Sequence, residues 1–171
     1  MDAVTVTETA LLSAEEYRVL NEWDDDVFAT ADLHLTFRAK DHHFLLYDAG
    51  RLASHVGVLT HTVTADGRPL RVGGLGGVVT VPACQRRGHA ARLMARAAAW
   101  FAGPSDVDAG LLFCLPKMLD YYQRLGWTRS GARVVIEQPS GPIVSPLHVM
   151  LLPVRGGLDE FRHLDLGSPP W

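Results

Sequence analysis

The spacing of apolar residues predicts helices in three parts of the chain. Residues 12–23, LSAEEYRVLNEW, place Ser13 three positions before Glu16, which is the capping-box pair that starts helices. From Ala90 to Ala102 apolar residues recur at helical spacing and form one side of an amphipathic helix. Residues 116–126, PKMLDYYQRLG, begin with a proline suited to a first helical turn and end with a glycine suited to a helix terminus.

β-Branched and aromatic residues dominate the segments between these helices and predict strands. Residues 43–63 form two such runs around an Asp-Ala-Gly turn, and a second turn at 65–68 leads into a glycine-rich run at 70–81. The many glycines at 73–77 predict a bulge or a close approach of the backbone. Later strands are expected at 109–115, 133–138 and 148–154. Residues 24–37 lose the helical spacing, and a loop or short helix is expected there.

This order of helices and strands predicts the α/β (α+β) class, with a mixed central β-sheet flanked by helices. The chain of 171 residues suits one domain, and no linker or internal repeat divides residues 1–171. Hydrophobic residues at 47% and charged residues at 20% are ordinary for a soluble globular protein. The apolar runs are too short to cross a membrane and the N-terminus lacks a targeting pattern, so we expect a cytoplasmic protein without a membrane partner.

The cysteines and histidines suggest neither a disulfide scaffold nor a metal centre. Two cysteines, Cys84 and Cys114, are too few for a disulfide framework and fit a reducing compartment. Their spacing and that of the eight histidines show no metal-ligand pattern. No metal site is therefore expected.

The net charge of -3 conceals an uneven distribution of charge along the chain. Residues 1–50 hold 11 acidic side chains against 3 Lys or Arg, whereas residues 51–171 hold 8 acidic side chains against 13. Nucleic-acid binding favours a basic stripe interleaved with aromatic residues, which this chain lacks, so no nucleic-acid partner is expected. Two ligands of opposite charge suit the distribution better.

The junction VVTVPACQRRGHAARLM, residues 78–94, carries the clearest chemical signal. A strand ends at a proline and a helix follows a short polar loop, so the first N–H groups of that helix face whatever lies over the loop and attract phosphate. Gly88 and Ala90 allow close approach, and Arg86 and Arg87 add charge suited to a pyrophosphate. The chain lacks the glycine patterns of nucleoside triphosphate loops and dinucleotide sites. An ordinary surface turn with two solvated arginines is the alternative.

Two segments resemble the GNAT N-acetyltransferase superfamily. VTVPACQRRGHA resembles the family's acyl-CoA motif Gln/Arg-x-x-Gly-x-Gly/Ala, with Gln85, Gly88 and Ala90 at the motif positions. Residues 111–127, LLFCLPKMLDYYQRLGW, are similar to the family's strand, helix and Tyr-x-x-x-Gly-Trp ending. The resemblance covers residues 43–154. It implies a GNAT-like splayed sheet whose strands part to admit the pantetheine arm of acetyl-CoA.

The resemblance also implies roles for individual residues. Main-chain groups of Val79 and Val81 would pair with the pantetheine arm, and the loop from Arg86 to Ala90 would hold the pyrophosphate. The acetyl-CoA residues implied in this way are Val79, Val81, Gln85, Arg86, Arg87, Gly88, His89 and Ala90. Tyr122 occupies the family's tyrosine position beside the thioester sulfur, and a phenol can protonate the departing thiolate during direct transfer to an amine.

A base that removes the proton of the amine is harder to assign. Many relatives carry a glutamate on the strand before the phosphate loop, but residues 76–79 of this chain are Gly-Gly-Val-Val. His55 and His61 share one face of their predicted strand and are candidates. A water chain and the C-terminal carboxylate are the other options.

The end of the chain suggests an acceptor. DLGSPPW at 165–171, residues 134–154 and the hairpin at 43–55 resemble the aminoglycoside 2'-N-acetyltransferases, in which a terminal tryptophan carboxylate and N-terminal acids hold the cationic sugar. The resemblance implies an aminoglycoside 2'-amine as acceptor and a role in antibiotic resistance. The substrate residues implied are Asp24, Asp25, Asp26, Asp32, Asp165 and Trp171. A polycationic substrate needs such carboxylates, and the acidic N-terminal part would steer it to the site.

Other functions stay open on the sequence. A GNAT enzyme could acetylate another amine, such as a polyamine, a different amino sugar antibiotic or a protein N-terminus. The chain could instead bind acetyl-CoA without catalysis, as a sensor or an antibiotic-sequestering protein. Family members are often dimers, so a homodimer is an open possibility.

Overall fold

The computed structural model describes residues 3–171, and within this range ten strands join in one mixed sheet beside three α-helices. The strands are β1 (Val4–Thr9), β2 (His42–Asp48), β3 (Arg51–Ala65), β4 (Arg68–Thr80), β5 (Ala109–Cys114), β6 (Thr128–Arg129), β7 (Arg133–Gln138), β8 (Gly141–Val144), β9 (His148–Pro153) and β10 (His163–Asp165). The helices are α1 (Ala14–Asn21), α2 (His89–Ala102) and α3 (Leu119–Arg124). Short 3-10 turns lie at Ala31–Leu33, Pro82–Cys84 and Pro116–Met118. The predicted mixed sheet flanked by helices is confirmed.

The strands β2, β3 and β4 form an antiparallel meander, to which β1 adds an outer strand. Tight turns join the three strands, and both end in a glycine of positive φ, Gly50 and Gly67. Because β3 is 15 residues long, it pairs with β2 along its first half and with β10 near its end. β7 and β8 continue the sheet beyond β10.

The other half of the sheet is built on β5. β4 and β5 run parallel, as their connection through α2 requires, but they pair over only four positions, from Val72 with Ala109 to Leu75 with Leu112. β9 pairs with β5 along its whole length, and β6 adds to β9. The two halves of the sheet therefore part after Leu75.

Helix α2 packs on one face of the sheet. Its buried side chains include Leu93, Ala97 and Phe101, which share a core cluster with buried residues of β2 to β5. The ring of Phe101 lies directly against Gly73 and Gly110, which are partners across β4 and β5. A side chain at either position would push the helix away from the sheet.

The opposite face is covered by α1 and by the C-terminal part of the chain. Leu20 of α1 packs with Leu45 and Val79, while Trp171 joins a second cluster that includes Leu111. The capping box predicted for α1 is present, with Ser13 and Glu16 bonded to each other's backbone N–H groups. Both faces of the central strands are therefore buried.

Some elements differ from the prediction. β1 was not predicted although VTVTET alternates, and β6, β8 and β10 have too few residues to show a pattern. Residues 116–126 begin with a 3-10 turn, so that the α-helix is confined to Leu119–Arg124. The six longer strands and the other two helices agree with the prediction to within a few residues.

No helix among residues 3–171 has the length and apolarity needed to cross a membrane. Within the same range, no three or more His, Cys, Asp or Glu side chains form a group that could hold a metal ion. Cys84 and Cys114 are both free thiols.

Gly73→Ala tests the packing of α2 on the sheet. A Cβ at this position would lie 2.3 Å from two atoms of the Phe101 ring, so the ring or the backbone must move. We expect the free energy of unfolding to fall by about 1–3 kcal/mol. Gly131→Ala is the matched control, since Gly131 is exposed and a Cβ there meets no atom within 4 Å. Urea titration measures both variants, and equal stabilities would contradict this packing.

Candidate active site

A cavity of about 930 Å³ opens where β4 and β5 part. One side is the free end of β4 with the following loop, and the other is the end of β5 with α3. The segment between α1 and β2 closes the third side with Trp23, Val27, Phe28, Phe37 and Lys40. One continuous space thus connects the predicted phosphate loop with Tyr122 and Trp171.

A bulge in β4 decides which backbone groups face this cavity. The register between β3 and β4 shifts between the pairs His55 with Val79 and Gly57 with Gly76, so that Gly77 and Val78 stand opposite a single residue of β3. Gly77 has a φ of +60°, which glycine adopts without strain. Beyond the bulge, successive residues point their N–H and C=O groups alternately to β3 and to the cavity.

Val79 and Val81 were expected to offer their main-chain groups to the pantetheine arm, but this alternation gives that position to the neighbouring residues. The N–H of Val81 donates to the carbonyl of Ala53 at 2.9 Å, and the pairing of Val79 with His55 directs the N–H of Val79 at β3 as well. The carbonyl of Val81 accepts from the N–H of Cys84 at 2.9 Å. The groups directed away from β3 are those of Val78 and Thr80, of which the Thr80 carbonyl accepts from Gln85 Nε2 at 3.1 Å. The bulge reverses the alternation that an unbroken strand would have.

The loop before α2 presents an open helix terminus to the cavity. Gly88 is the N-cap of α2, has a φ of +78° and supplies no side-chain cap to the first N–H groups. A Cβ on Gly88 would meet nothing within 4 Å, so the space over the terminus is open. Gln85 ties the loop to the strand by donating from Nε2 to the carbonyl of Thr80 at 3.1 Å. Such a terminus is suited to phosphate.

The two arginines of the loop point in different directions. Arg86 lines the cavity and has a left-handed backbone with a φ of +61°. Arg87 instead forms an ion pair with Asp48, its Nη1 lying 3.0 Å from Oδ2. His89 lines the cavity wall, but its Nε2 also contacts Asp48, at 3.2 Å. Of the predicted loop residues, Gln85, Arg86, Gly88, His89 and Ala90 reach the cavity.

Tyr122 lies on α3 at the far wall of the cavity. The side chain is buried, beside Cys114 of β5 and Tyr121 of the same helix. Burial, followed by the neighbouring Cys114 and Tyr121, raises the pKa of the Tyr122 phenol well above its ordinary value. The hydroxyl therefore keeps its proton at neutral pH and can act as a donor.

Neither candidate histidine offers a ring nitrogen to the cavity. His55 Nδ1 donates to the carbonyl of Gly77 at 2.6 Å, and its Nε2 lies 2.9 Å from Nδ1 of His43. Burial lowers the pKa of His55 to about 4, so the ring is neutral at pH 7. His61 is engaged by the carbonyl of Leu166 and by Arg38.

The predicted acceptor acids do not line the cavity. Asp24 and Asp25 lie at a shallow depression beside Trp23. Asp26 accepts hydrogen bonds from the N–H groups of Thr30 and Ala31, and thus stabilises its own loop. Asp32 is exposed on a 3-10 turn, and Asp165 accepts from the N–H of Gly167. The structure does not bring these carboxylates together around one ligand position.

Trp171 lies at the inner end of the cavity. Its indole is buried against Gly74, where a Cβ would lie 2.4 Å from the ring, and its Nε1 donates to the carbonyl of Leu111 at 3.3 Å. The main-chain carboxyl group of Trp171, which the sequence suggested as a substrate partner, lies over Gly76 in the cavity, with its oxygen 2.8 Å and Lys40 Cε 2.9 Å from the position of a Cβ there. The tryptophan therefore fills one end of the space with its ring.

Lys40 also lines the cavity, although no motif in the sequence includes it. Its side chain lies across Gly57 and Gly76, with Cγ 2.7 Å and Cε 2.9 Å from the Cβ positions of these glycines. Burial lowers the pKa of Lys40 to about 8. The only sequence signal is the excess of glycines on β4, one of the two strands that it crosses, since its own neighbours follow no periodic pattern.

The sequence model of a protein family described as Acetyltransferase (GNAT) domain matches residues 8–130 of this chain. This match covers most of the chain, including the bulged strand, the loop before α2 and Tyr122. The chain therefore belongs to the GNAT acetyltransferase family and is an acyltransferase that depends on acetyl-CoA.

Solved structures agree in fold. ElaA of Escherichia coli is 16% identical, with a TM-score of 0.56 over 88% of this chain and 98% of that chain. A GNAT family acetyltransferase from Brucella melitensis in complex with acetyl-CoA is 14% identical, with a TM-score of 0.56 over 93% of each chain. A probable N-acyltransferase from Enterococcus faecalis V583 is 16% identical, with a TM-score of 0.54, and this chain spans only 33% of its length. No curated protein matches the sequence.

The residues of the cavity fit acetyl-CoA. The uncapped terminus of α2 and Arg86 suit the pyrophosphate, and the main-chain groups of Val78 and the N–H of Thr80 suit an amide-bearing arm that lies along β4. The volume of about 930 Å³ is within the range of cofactor sites.

Arg86→Ala and Arg87→Ala form a matched pair that tests the phosphate loop. Arg86 faces the cavity, so its removal should weaken coenzyme A binding about tenfold, as expected for one charge-assisted contact. Arg87 is paired with Asp48 on the surface, and its removal should change the affinity little. Calorimetric titration with coenzyme A measures both, and equal losses would contradict the assigned orientations.

Proposed function

We propose that this chain transfers the acetyl group of acetyl-CoA directly to the primary amine of a small molecule whose body is largely apolar. The observation that carries the proposal is the single cavity that joins the phosphate loop to Tyr122 and opens toward residues 23–40. A donor bound along β4 and an acceptor entering from this third side would meet near Tyr122. No covalent enzyme intermediate is then needed.

When bound, acetyl-CoA supplies an activated acetyl thioester. The chain's own contribution is to orient it. The N–H groups at the start of α2 and Arg86 would hold the pyrophosphate, and Val78 and Thr80 would fix the arm through main-chain hydrogen bonds. Holding both reactants in this geometry is itself a large part of catalysis.

Tyr122 would act as the general acid. As the amine nitrogen bonds to the acetyl carbon and the carbon–sulfur bond breaks, the phenol donates its proton to the sulfur. The proton that the amine loses returns through water to the phenolate, so that the products are the acetamide and the thiol. Burial keeps the phenol protonated before the reaction, because it raises the pKa.

Water and the carboxylate of Trp171 are the proton acceptors that suit the cavity. His55 and His61 have both ring nitrogens engaged within the protein, so neither can take a proton from the amine without breaking a hydrogen bond. Solvent reaches the cavity from the open side near Phe28 and Phe37, which are both exposed.

The geometry favours an apolar acceptor over a polycationic sugar. Trp23, Phe28 and Phe37 form the open side, whereas Asp24, Asp25, Asp26, Asp32 and Asp165 lie elsewhere. A polycation needs carboxylates at its ammonium groups, and Lys40 in the cavity would repel it. An aminoglycoside acceptor thus has in its favour the resemblance of the C-terminal segment and the position of Trp171 in the cavity, but none of the predicted aspartates lines that cavity.

Tyr122→Phe separates catalysis from simple binding. The variant lacks the acidic proton, so kcat should fall about 100-fold or more, while the affinity for coenzyme A should stay near that of the wild type. Release of the coenzyme A thiol measures turnover across a panel of primary amines, and calorimetry measures affinity.

Tyr121→Phe is the matched control for Tyr122→Phe, because Tyr121 lines the same cavity one position earlier on α3. Its turnover should stay within a few-fold of the wild type. Equal turnover by Tyr122→Phe and the wild type would remove Tyr122 from the mechanism. Tight coenzyme A binding without thiol release for any amine would favour the non-catalytic alternative.

A further inference from the structure

Trp171 covers two glycines that lie on the same face of β4. Its indole lies against Gly74 and its carboxyl group lies over Gly76, with the nearest atoms 2.4 Å and 2.8 Å from the Cβ positions there. The two glycines share a face because one residue separates them in the strand. A side chain at either position would displace the tryptophan. The lack of side chains on this face of β4 therefore makes room for Trp171.

Several contacts hold the indole of Trp171 in place. Its Nε1 donates to the carbonyl of Leu111 at 3.3 Å, and the ring of Phe113 meets it edge to face, with centroids 5.6 Å apart. The carbonyl of the preceding residue, Pro170, accepts from the N–H of Arg38 at 2.8 Å. Trp171 is only 3% exposed and belongs to an apolar cluster. The indole therefore forms a fixed wall.

This wall stands where the cavity ends between β4 and β5. Leu75 and Leu112 are the last paired residues of the two strands, and both line the cavity. Gly74 and Leu111 are paired one position earlier, and the indole rests on them. The inner end of the cavity is therefore closed by the two converging strands and by the indole.

The direction of bound coenzyme A leads to this end of the cavity. With the pyrophosphate at the start of α2, the pantetheine arm would run along β4 past Thr80 and Val78 and bring the thioester sulfur to Tyr122. An acyl chain that continues in the same direction approaches Trp171. An acetyl group ends in front of the indole, whereas a longer chain meets the ring.

We propose that Trp171 sets the length of the acyl chain, and that its indole selects acetyl-CoA over longer acyl-CoA thioesters. The inference rests on the proposed transfer and specifies its donor. A longer chain has to displace a packed ring, which costs the contacts of that ring. The transfer itself is unchanged, since the carbon–sulfur bond breaks and the amine nitrogen bonds to the acyl carbon whatever the length of the chain.

A smaller side chain at position 171 would open an apolar space. Gly74, Leu111 and Phe113 would line this space, and apolar spaces of this kind bind apolar ligands. Each buried methylene group strengthens binding about fourfold, and butyryl-CoA has two more methylene groups than acetyl-CoA. The affinity for butyryl-CoA relative to acetyl-CoA should therefore rise about tenfold in Trp171→Leu.

Calorimetric titration with acetyl-CoA and butyryl-CoA, without any amine, measures these affinities. The wild type should bind butyryl-CoA more weakly than acetyl-CoA. Trp171→Phe keeps an aromatic ring and should give a ratio between those of the wild type and Trp171→Leu, which provides a second variant with a smaller change in the core. Because both donors are compared within each variant, a shift of the terminal carboxyl group cancels in the ratio.

Trp127→Leu is the matched control. Trp127 is also 3% exposed and also packs on a glycine of the central strands, since its ring lies 2.8 Å from the Cβ position of Gly110. It belongs to the cluster beneath α2, on the other face of the sheet from Trp171. Both substitutions remove the same atoms from the interior and should lower the Tm, but Trp127→Leu should keep the wild-type ratio of affinities.

Turnover with a primary amine gives a second readout. The ratio of kcat/KM for butyryl-CoA to that for acetyl-CoA should rise about tenfold in Trp171→Leu and stay unchanged in Trp127→Leu. If no amine is acylated, the proposed transfer fails, and the binding ratios still decide the role of Trp171. Binding ratios that are equal in the wild type and Trp171→Leu, or a wild type that binds butyryl-CoA as tightly as acetyl-CoA, would overturn the proposal.

Discussion

β4 and β5 pair over four positions and then separate, and the active site depends on that separation. A longer parallel ladder would bury the backbone of both strands, whereas here the end of β4 keeps N–H and C=O groups free on one edge. The strands stay apart because β5 is bonded to β9 along its full length while β4 stays with β3. The cavity between them then connects the N-terminus of α2 with Tyr122.

Local chemistry made much of this arrangement predictable from the sequence. The capping box of α1, the glycine turns of the meander and the junction at Gln85–Ala90 each depend on residues close together in the chain. The direction of the main-chain groups of Val79 and Val81 was predicted wrongly, because one extra residue at Gly77 reverses the alternation. A glycine-rich run indicates that a bulge is present but not at which residue it occurs.

The acceptor side was less predictable because it depends on contacts between distant segments. Asp24 to Asp26 are consecutive and acidic, yet Asp26 accepts hydrogen bonds from backbone N–H groups of its own loop, and the other two are exposed to solvent. Lys40 has no signature of its own and becomes prominent only when Gly57 and Gly76 come together across two strands. The charge count predicted acidic side chains around the acceptor, whereas Lys40 and none of these aspartates lines the cavity.

Residue-resolved amide hydrogen exchange, followed by NMR with and without coenzyme A, tests most directly that the free edge of β4 binds the cofactor. The N–H groups of Val78 and Thr80 should exchange at least about tenfold more slowly when coenzyme A is bound. Those of Val79 and Val81 should change little, because they are bonded to β3 in both states. Unchanged exchange at Val78 and Thr80 in protein saturated with coenzyme A would contradict the account.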